Sequence, residues 1–160
     1  MPRSFALVLF LALATSGACR SDGPVPATSA PAAAAAPSVG TLEGAYEAVR
    51  AALVADDLAA ARRAAEDLAK TAGGDEALAA AAHGIGTASE IEAARLAFGE
   101  ASRLYLGRLA ADPALAKGKY AFRCPMAKGY KKWVQLHDRL DNPYMGQRML
   151  ECGGPVALEP

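Results

Sequence analysis

Apolar residues recur at spacings of three and four between Thr41 and Asp112, and this periodicity predicts a series of amphipathic helices. The first two apolar stripes are formed by Leu42, Tyr46, Val49 and Leu53, and by Leu58, Ala61, Ala65, Leu68 and Ala72. A third helix is expected from about Asp75 to Thr87, after a pair of glycines that is typical of a helix end. Ser89 and Glu92 have the spacing of a capping box, which predicts the start of a fourth and longest helix. Because the connections are short, neighbouring helices are expected to run antiparallel.

The pattern changes after Pro113, which is expected to end the fourth helix. Alternating apolar and polar residues predict a strand over residues 119–123. Residues 128–140 are predicted to form one short helix. The residues expected on one face of that helix are Trp133, Leu136, His137 and Leu140. A turn over residues 141–146 should then bring residues 148–152 back as the second strand of a hairpin. The predicted fold class is all-α: an antiparallel four-helix bundle with a small C-terminal helix and a two-stranded hairpin extension.

The first 18 residues have the pattern of a signal peptide for export. Arg3 gives a short positive region, residues 5–13 form a continuous apolar run, and small residues precede Cys19. This run is too short to span a bilayer permanently. The small residues followed by cysteine resemble the lipobox of bacterial lipoproteins, although Ser16 replaces the usual leucine. We expect Cys19 to be lipidated, and the alternative is simple cleavage after Ala18.

Residues 20–39 consist almost entirely of Pro, Ala, Ser, Thr and Gly. Such a segment has too little apolar surface to offset the entropy of ordering, so it is expected to act as an extended tether. The predicted organisation is a signal peptide (1–18), a lipidated cysteine with a linker (19–39), and a helical domain (40–157) whose Cys/Met-rich segment covers 113–157. The domain is therefore expected in the periplasm or on the envelope side, held at the membrane by its lipid anchor.

The charge is balanced overall but is divided along the chain. The 160 residues carry 17 basic and 17 acidic side chains, which gives no reason to expect nucleic acid as a partner. Residues 40–112 hold 7 basic and 12 acidic residues, whereas residues 113–160 hold 8 basic and 4 acidic ones. Tyr120, Tyr130 and Trp133 lie among the lysines of this tail, but export makes a solvated basic face the better interpretation.

Most of the sulfur lies in one segment, from Tyr120 to Gly154. The residues of this segment that are able to bind a soft metal are Cys124, Met126, His137, Met145, Met149 and Cys152. Thiolate and thioether sulfurs favour soft ions such as Cu(I). If the hairpin forms, Met126 and Met149 would flank the two cysteines and four sulfurs would surround one ion. Met145 and His137 would then be reserve ligands.

The same cysteines predict a different site if they are oxidised. Lipidation of Cys19 would leave Cys124 and Cys152 as a pair in an oxidising compartment, where a disulfide is common. Closing this loop would stabilise the fold by roughly 3.6 kcal/mol in the chain-entropy estimate. Cu(I) binding needs both thiols reduced, so the two interpretations exclude each other at the cysteines.

Several motifs carry a resemblance to a known family. Their sequences are Cys124-Pro125-Met126, Trp133, Asn142-Pro143-Tyr144-Met145-Gly146, and Met149-Leu150-Glu151-Cys152-Gly153. In this order and spacing they resemble the signature of a bacterial exported family known as domain of unknown function 3347, over roughly residues 41–156. Members of that family are similar to, and sometimes fused with, adaptors of heavy-metal efflux systems. The resemblance implies a role in copper or other soft-metal handling, with an efflux adaptor or a copper chaperone as partner.

The Cys-Pro-Met motif also resembles a short heavy-metal-binding peptide in which His-Pro follows. Here Ala127 and Lys128 occupy those two positions. An enzyme is not expected, because the chain has no Cys-x-x-Cys motif, only two histidines, and no serine placed beside a histidine and a carboxylate. The predicted function is an exported, lipid-anchored module that binds copper and assists metal handling or efflux. The alternative is a disulfide-stapled helical interaction module of the cell envelope that binds no metal.

Overall fold

The computed structural model describes residues 40–159, which fall within one compact unit. The expected signal peptide (1–18), the lipidation site Cys19 and the linker (19–39) lie outside the described residues. Among the helices of the described part, none combines the length and the apolar character needed to cross a membrane.

Four long helices and one short helix form the first part of the fold. They are α1 (Leu42–Val54), α2 (Leu58–Thr71), α3 (Glu76–Gly86), α4 (Ile91–Ala111) and α5 (Pro113–Ala116). The side chains of Thr41, Asp57 and Asp75 cap the first three helices by accepting hydrogen bonds from backbone N–H groups. The capping-box prediction is wrong, since α4 begins after Glu90 and its N-cap makes no side-chain hydrogen bond.

Each long helix packs on the next one along the chain, and the C-terminal segment packs between α1 and α4. The hydroxyl of Tyr46 on α1 accepts a hydrogen bond from the N–H of Val134 (3.4 Å). The hydroxyl of Ser102 on α4 donates to the carbonyl of Lys132 (3.0 Å), and the Tyr46 and Ser102 hydroxyls are 2.8 Å apart. The tail is therefore part of the same hydrophobic core as the helices.

The tail forms a three-stranded antiparallel sheet in the order β2-β1-β3. Its strands are β1 (Tyr120–Arg123), β2 (Lys132–Gln135) and β3 (Gly154–Val156). Phe122 on β1 faces Trp133 on β2, and their rings stack with centroids 5.7 Å apart. On its other side β1 pairs with β3, where Arg123 is opposite Gly154.

These strands correct the predicted fold class, because five helices and a three-stranded sheet make a mixed α/β protein, not an all-α one. The helix predicted over residues 128–140 is wrong. Its centre is strand β2, where Trp133, Val134 and Gln135 are all buried by β1 on one side and the helices on another. The strand predicted over residues 148–152 is also wrong, because residues 146–149 form a 3₁₀ turn and β3 lies further along the chain.

Candidate thiol site

Cys124 and Cys152 meet at the edge of the sheet. Cys124 directly follows β1, and its N–H donates to the carbonyl of Lys131 across the hairpin (3.0 Å). Cys152 lies two residues before β3, and its N–H donates to the carbonyl of Met149 (3.0 Å). The two Sγ atoms are 3.0 Å apart, and both residues are free thiols. The sequence prediction that these two cysteines come together is therefore confirmed, whereas their chemical state is not decided by this proximity.

The surroundings of Cys124 favour a charged sulfur. Burial alone would raise the pKa of the Cys124 thiol, but hydrogen bonds from Cys152, from the Asn142 side chain and from the backbone N–H groups of Met126 and Ala127 outweigh it and lower that pKa. The pKa of the Cys152 thiol is raised, first because it donates its proton to Cys124. The Cys124 thiol therefore loses its proton more readily than the Cys152 thiol does.

Asn142 connects the segment of Cys152 to the turn that follows Pro143. Its side chain is fully buried, and its Nδ2 donates to the carbonyl of Cys152 (2.5 Å). Its Oδ1 accepts from the N–H groups of Tyr144 (2.8 Å) and Met145 (3.2 Å), which fixes the turn after Pro143. The sequence predicts only a turn at residue 142. The Asn-Pro pair indicated that turn, but no local signal indicated that its amide reaches Cys152.

The separation of the sulfurs limits what the site can hold without rearrangement. A disulfide needs sulfurs about 2.05 Å apart, so a short approach would close the bond. Two sulfurs on one tetrahedral metal with bonds of about 2.3 Å are roughly 3.8 Å apart, and in a linear site they are further apart still. The observed 3.0 Å lies between these arrangements. Cys152 is only partly buried and borders a shallow surface cavity, so its side chain is the more accessible of the two.

The methionines are divided between two cavities. Met126 lies on the turn that follows Cys124, but its side chain is 61% exposed. It lines a cavity of about 520 Å³ together with the buried Met145 and the exposed Leu96. Met149 borders the other cavity beside Cys152. The predicted arrangement of four sulfurs around one point is therefore not formed, although each cysteine has a methionine close by in the chain.

His137 lies outside the group of cysteines and methionines, because its imidazole contacts other residues. Its Nδ1 is 3.0 Å from the Gln135 amide nitrogen and 2.9 Å from the Arg139 carbonyl oxygen, and its Nε2 is 3.5 Å from Asp141. These contacts tie the imidazole to the loop after β2. Within residues 40–159 no three His, Cys, Asp or Glu side chains are grouped so that they could hold a metal ion. A site for an ion that needs three such ligands is therefore not preformed there.

Comparisons with family models, with curated proteins and with solved structures found no match to this chain. The resemblance to domain of unknown function 3347 thus stays a prediction from the motifs. Any functional conclusion has to come from the geometry of the thiol pair.

Proposed function

We propose that the protein is an exported, lipid-anchored module that binds a soft metal ion, Cu(I), through Cys124 and Cys152 and assists metal handling or efflux. The observation that carries this proposal is the approach of two free thiols, Cys124 and Cys152, whose Sγ atoms lie 3.0 Å apart. The role is one of binding and transfer, not of catalysis.

Donors around a sulfur stabilise a thiolate, which is the form of cysteine that binds metal. A disulfide sulfur carries no charge and gains little from such donors. The lowered pKa of the Cys124 thiol therefore supports a site that is used in the reduced state.

The remaining ligand set favours a soft ion of low coordination number. Two thiolates and a thioether suit Cu(I), whereas Zn²⁺ almost always takes four ligands in structural sites. Met126 is the nearest thioether in the chain to Cys124, and Met149 is the nearest one to Cys152. Binding requires the side chain of Cys152 to turn toward its open cavity, so that the sulfurs separate enough to share an ion.

The second candidate function is a disulfide-stapled interaction module, for which the two thiols are close enough to form the bond after a short approach. In an oxidising compartment the pair would close unless metal or a reductant protects it. The bond would join the end of β1 to the segment before β3 and would leave the methionines without thiolate partners.

An anaerobic Cu(I) titration separates these functions. The test protein is the chain from residue 19 with Cys19→Ser, so that its only thiols are those of the site. We expect one equivalent of Cu(I) to bind the reduced protein and none to bind the oxidised protein in competition with a Cu(I) chelator. Cys124→Ser and Cys152→Ser should abolish binding, and Met126→Leu should weaken it.

His137→Gln is the matched control, because its imidazole is held by Gln135, Arg139 and Asp141, so this change should leave Cu(I) affinity unaltered. Failure of the fully reduced protein to bind Cu(I) would end the metal proposal. A thiol count of zero in protein isolated from the envelope, without bound metal, would support the disulfide function instead.

A further inference from the structure

The surface around the thiol pair is basic, and its basic residues are not among the proposed metal ligands. No acidic residue occurs between Asp112 and Asp138, whereas this interval contains six basic ones. Four of these basic residues lie on the strands and loop beside Cys124, and we call them the basic rim: Arg123, Lys128, Lys131 and Lys132.

Backbone contacts place the basic rim next to the sulfurs. Arg123 directly precedes Cys124, is exposed, and is cross-strand from Lys132. The carbonyl of Lys131 accepts the N–H of Cys124, and its ammonium group donates to the carbonyl of Pro125 (2.8 Å). These positions place positive charge on the strands and the turn that flank Cys124.

The other end of the basic rim reaches the exposed thioether. Lys128 is exposed and lines the same cavity as Met126, on the turn that leads away from Cys124. Glu151 is the acidic residue adjacent to Cys152, and the charge of Arg139 interacts with it.

A positive surface does not attract a free metal cation, so its placement beside a cation site needs a different explanation. Surfaces of one sign raise the association rates of oppositely charged partners by about 10-fold to 1,000-fold at low salt. We propose that the basic rim is the docking surface for an acidic protein that exchanges the metal with Cys124 and Cys152. This inference rests on the proposed function and identifies the chemistry of its partner.

An acidic protein explains the position of the basic rim better than a lipid surface does. The same face presents Glu90 and Glu92 of α4 on the cavity shared by Met126 and Lys128. Anionic headgroups would be repelled by these carboxylates over a broad flat contact, whereas a protein surface can meet the mixed charges individually.

The test uses two synthetic methionine-rich peptides loaded with Cu(I). They have the same ligands and differ only in their flanking residues, which are glutamates in one and lysines in the other. Transfer to the reduced protein from residue 19 with Cys19→Ser is followed by stopped-flow fluorescence of Trp133, the only tryptophan. At about 20 mM salt we expect the glutamate peptide to deliver Cu(I) roughly 10-fold faster, and this advantage should fall below about 2-fold at 0.5 M salt.

The double variant Arg123→Gln with Lys128→Gln should lose most of this advantage while reaching the same final Cu(I) content. The matched control changes the same amount of charge on α2, with Arg62→Gln and Arg63→Gln, and should keep the advantage. If the double variant is poorly folded, Lys131→Gln alone should still reduce the advantage by about 2-fold to 3-fold.

Equal rates for both peptides with full Cu(I) loading would overturn the docking surface and leave the proposed function intact. A failure to bind Cu(I) at equilibrium would end both. Salt-sensitive binding to phosphatidylglycerol vesicles that the double variant loses, without any preference between the peptides, would overturn the acidic protein in favour of a membrane surface.

Discussion

Arg95 on α4 forms an ion pair with Asp56, which lies in the turn between α1 and α2. The guanidinium of Arg95 is almost fully buried, and it also donates to the carbonyl oxygens of Pro143 (3.0 Å) and Leu53 (3.1 Å). A single side chain on α4 thus connects the end of α1, the following turn and the Asn142 turn. The thiol site depends on this connection, because Asn142 carries the contact to Cys152.

Replacing Arg95 should therefore destabilise the whole domain. Arg95→Met keeps most of the aliphatic volume but leaves two buried carbonyl oxygens without their donor. We expect the free energy of unfolding to fall by about 3–5 kcal/mol, measured by urea denaturation. Arg103→Met is the control, because Arg103 makes an exposed pair with Glu100 on the same helix and should cost less than about 1 kcal/mol. Similar losses in both variants would contradict the connecting role of Arg95.

Gly146 should not tolerate any side chain. Its φ of +57° is unfavourable for other residues, and an added Cβ would lie 2.0 Å from Asp56 Oδ1 and 2.2 Å from Arg95 Nη2. Gly146→Ala should separate this ion pair and lower the free energy of unfolding by at least about 2 kcal/mol. Gly107→Ala on α4 is the opposite case, because nothing lies within 4 Å of its Cβ position. That change should raise stability by about 0.5–1 kcal/mol, and a loss there would show that the helix is strained at Gly107.

The long helices were predictable from the sequence because their apolar stripes coincide with the buried faces. Val49, Leu53 and Leu68 recur with helical spacing and are fully buried. Each helix makes most of its helix contacts with its neighbours in sequence. Local periodicity was therefore sufficient for these elements.

The tail was not predictable in the same way, because tertiary contacts decide its structure. Trp133 and His137 have helical spacing, yet Trp133 is buried against Phe122 and Tyr144 in the core. Strand β2 is covered on more than one side, so its buried residues do not alternate. The proximity of Cys124 and Cys152 was predicted from a hairpin that does not form, and the actual cause is the pairing of β1 with β3 together with the Asn142 contact.

Alkaline pH should destabilise the domain through its buried tyrosines. Burial raises the pKa of Tyr46 above its ordinary value of 10.0, against the opposing effect of its hydrogen bond with Ser102. Burial also raises the pKa of Tyr105 and of Tyr144. Above about pH 10 the unfolded chain loses protons that the folded protein keeps, so stability that is complete below this pH declines as the pH rises.

Each such tyrosine should lower the free energy of unfolding by up to about 1.4 kcal/mol for each pH unit above about 10. Denaturation curves measured between about pH 8 and about pH 11 should show that the free energy of unfolding of the wild type declines steeply. Tyr105→Phe should make that decline shallower, because one titrating group is removed. An unchanged slope would mean that Tyr105 is accessible to hydroxide in the folded protein.

Oxidation of Cys124 and Cys152 should stabilise the fold without changing it. The cysteines are 28 positions apart in sequence and their sulfurs already lie at 3.0 Å, so a disulfide would restrict mainly the unfolded chain. Urea denaturation of the oxidised protein should give a free energy of unfolding about 3–4 kcal/mol higher than that of the reduced protein. Trp133 is a suitable probe, because its ring lies against Gly153, next to Cys152.

Cys152→Ser provides the control for this prediction, since it should behave alike under oxidising and reducing conditions. Its stability should lie close to that of the reduced wild type, because Cys152 is partly exposed and Ser fits the same space. If the reduced protein is as stable as the oxidised one, the disulfide introduces strain in the folded state. The cost of this strain then equals the stabilisation gained by restricting the unfolded chain. In that case the 3.0 Å separation would reflect a dithiol site, and the disulfide function would lose its main support.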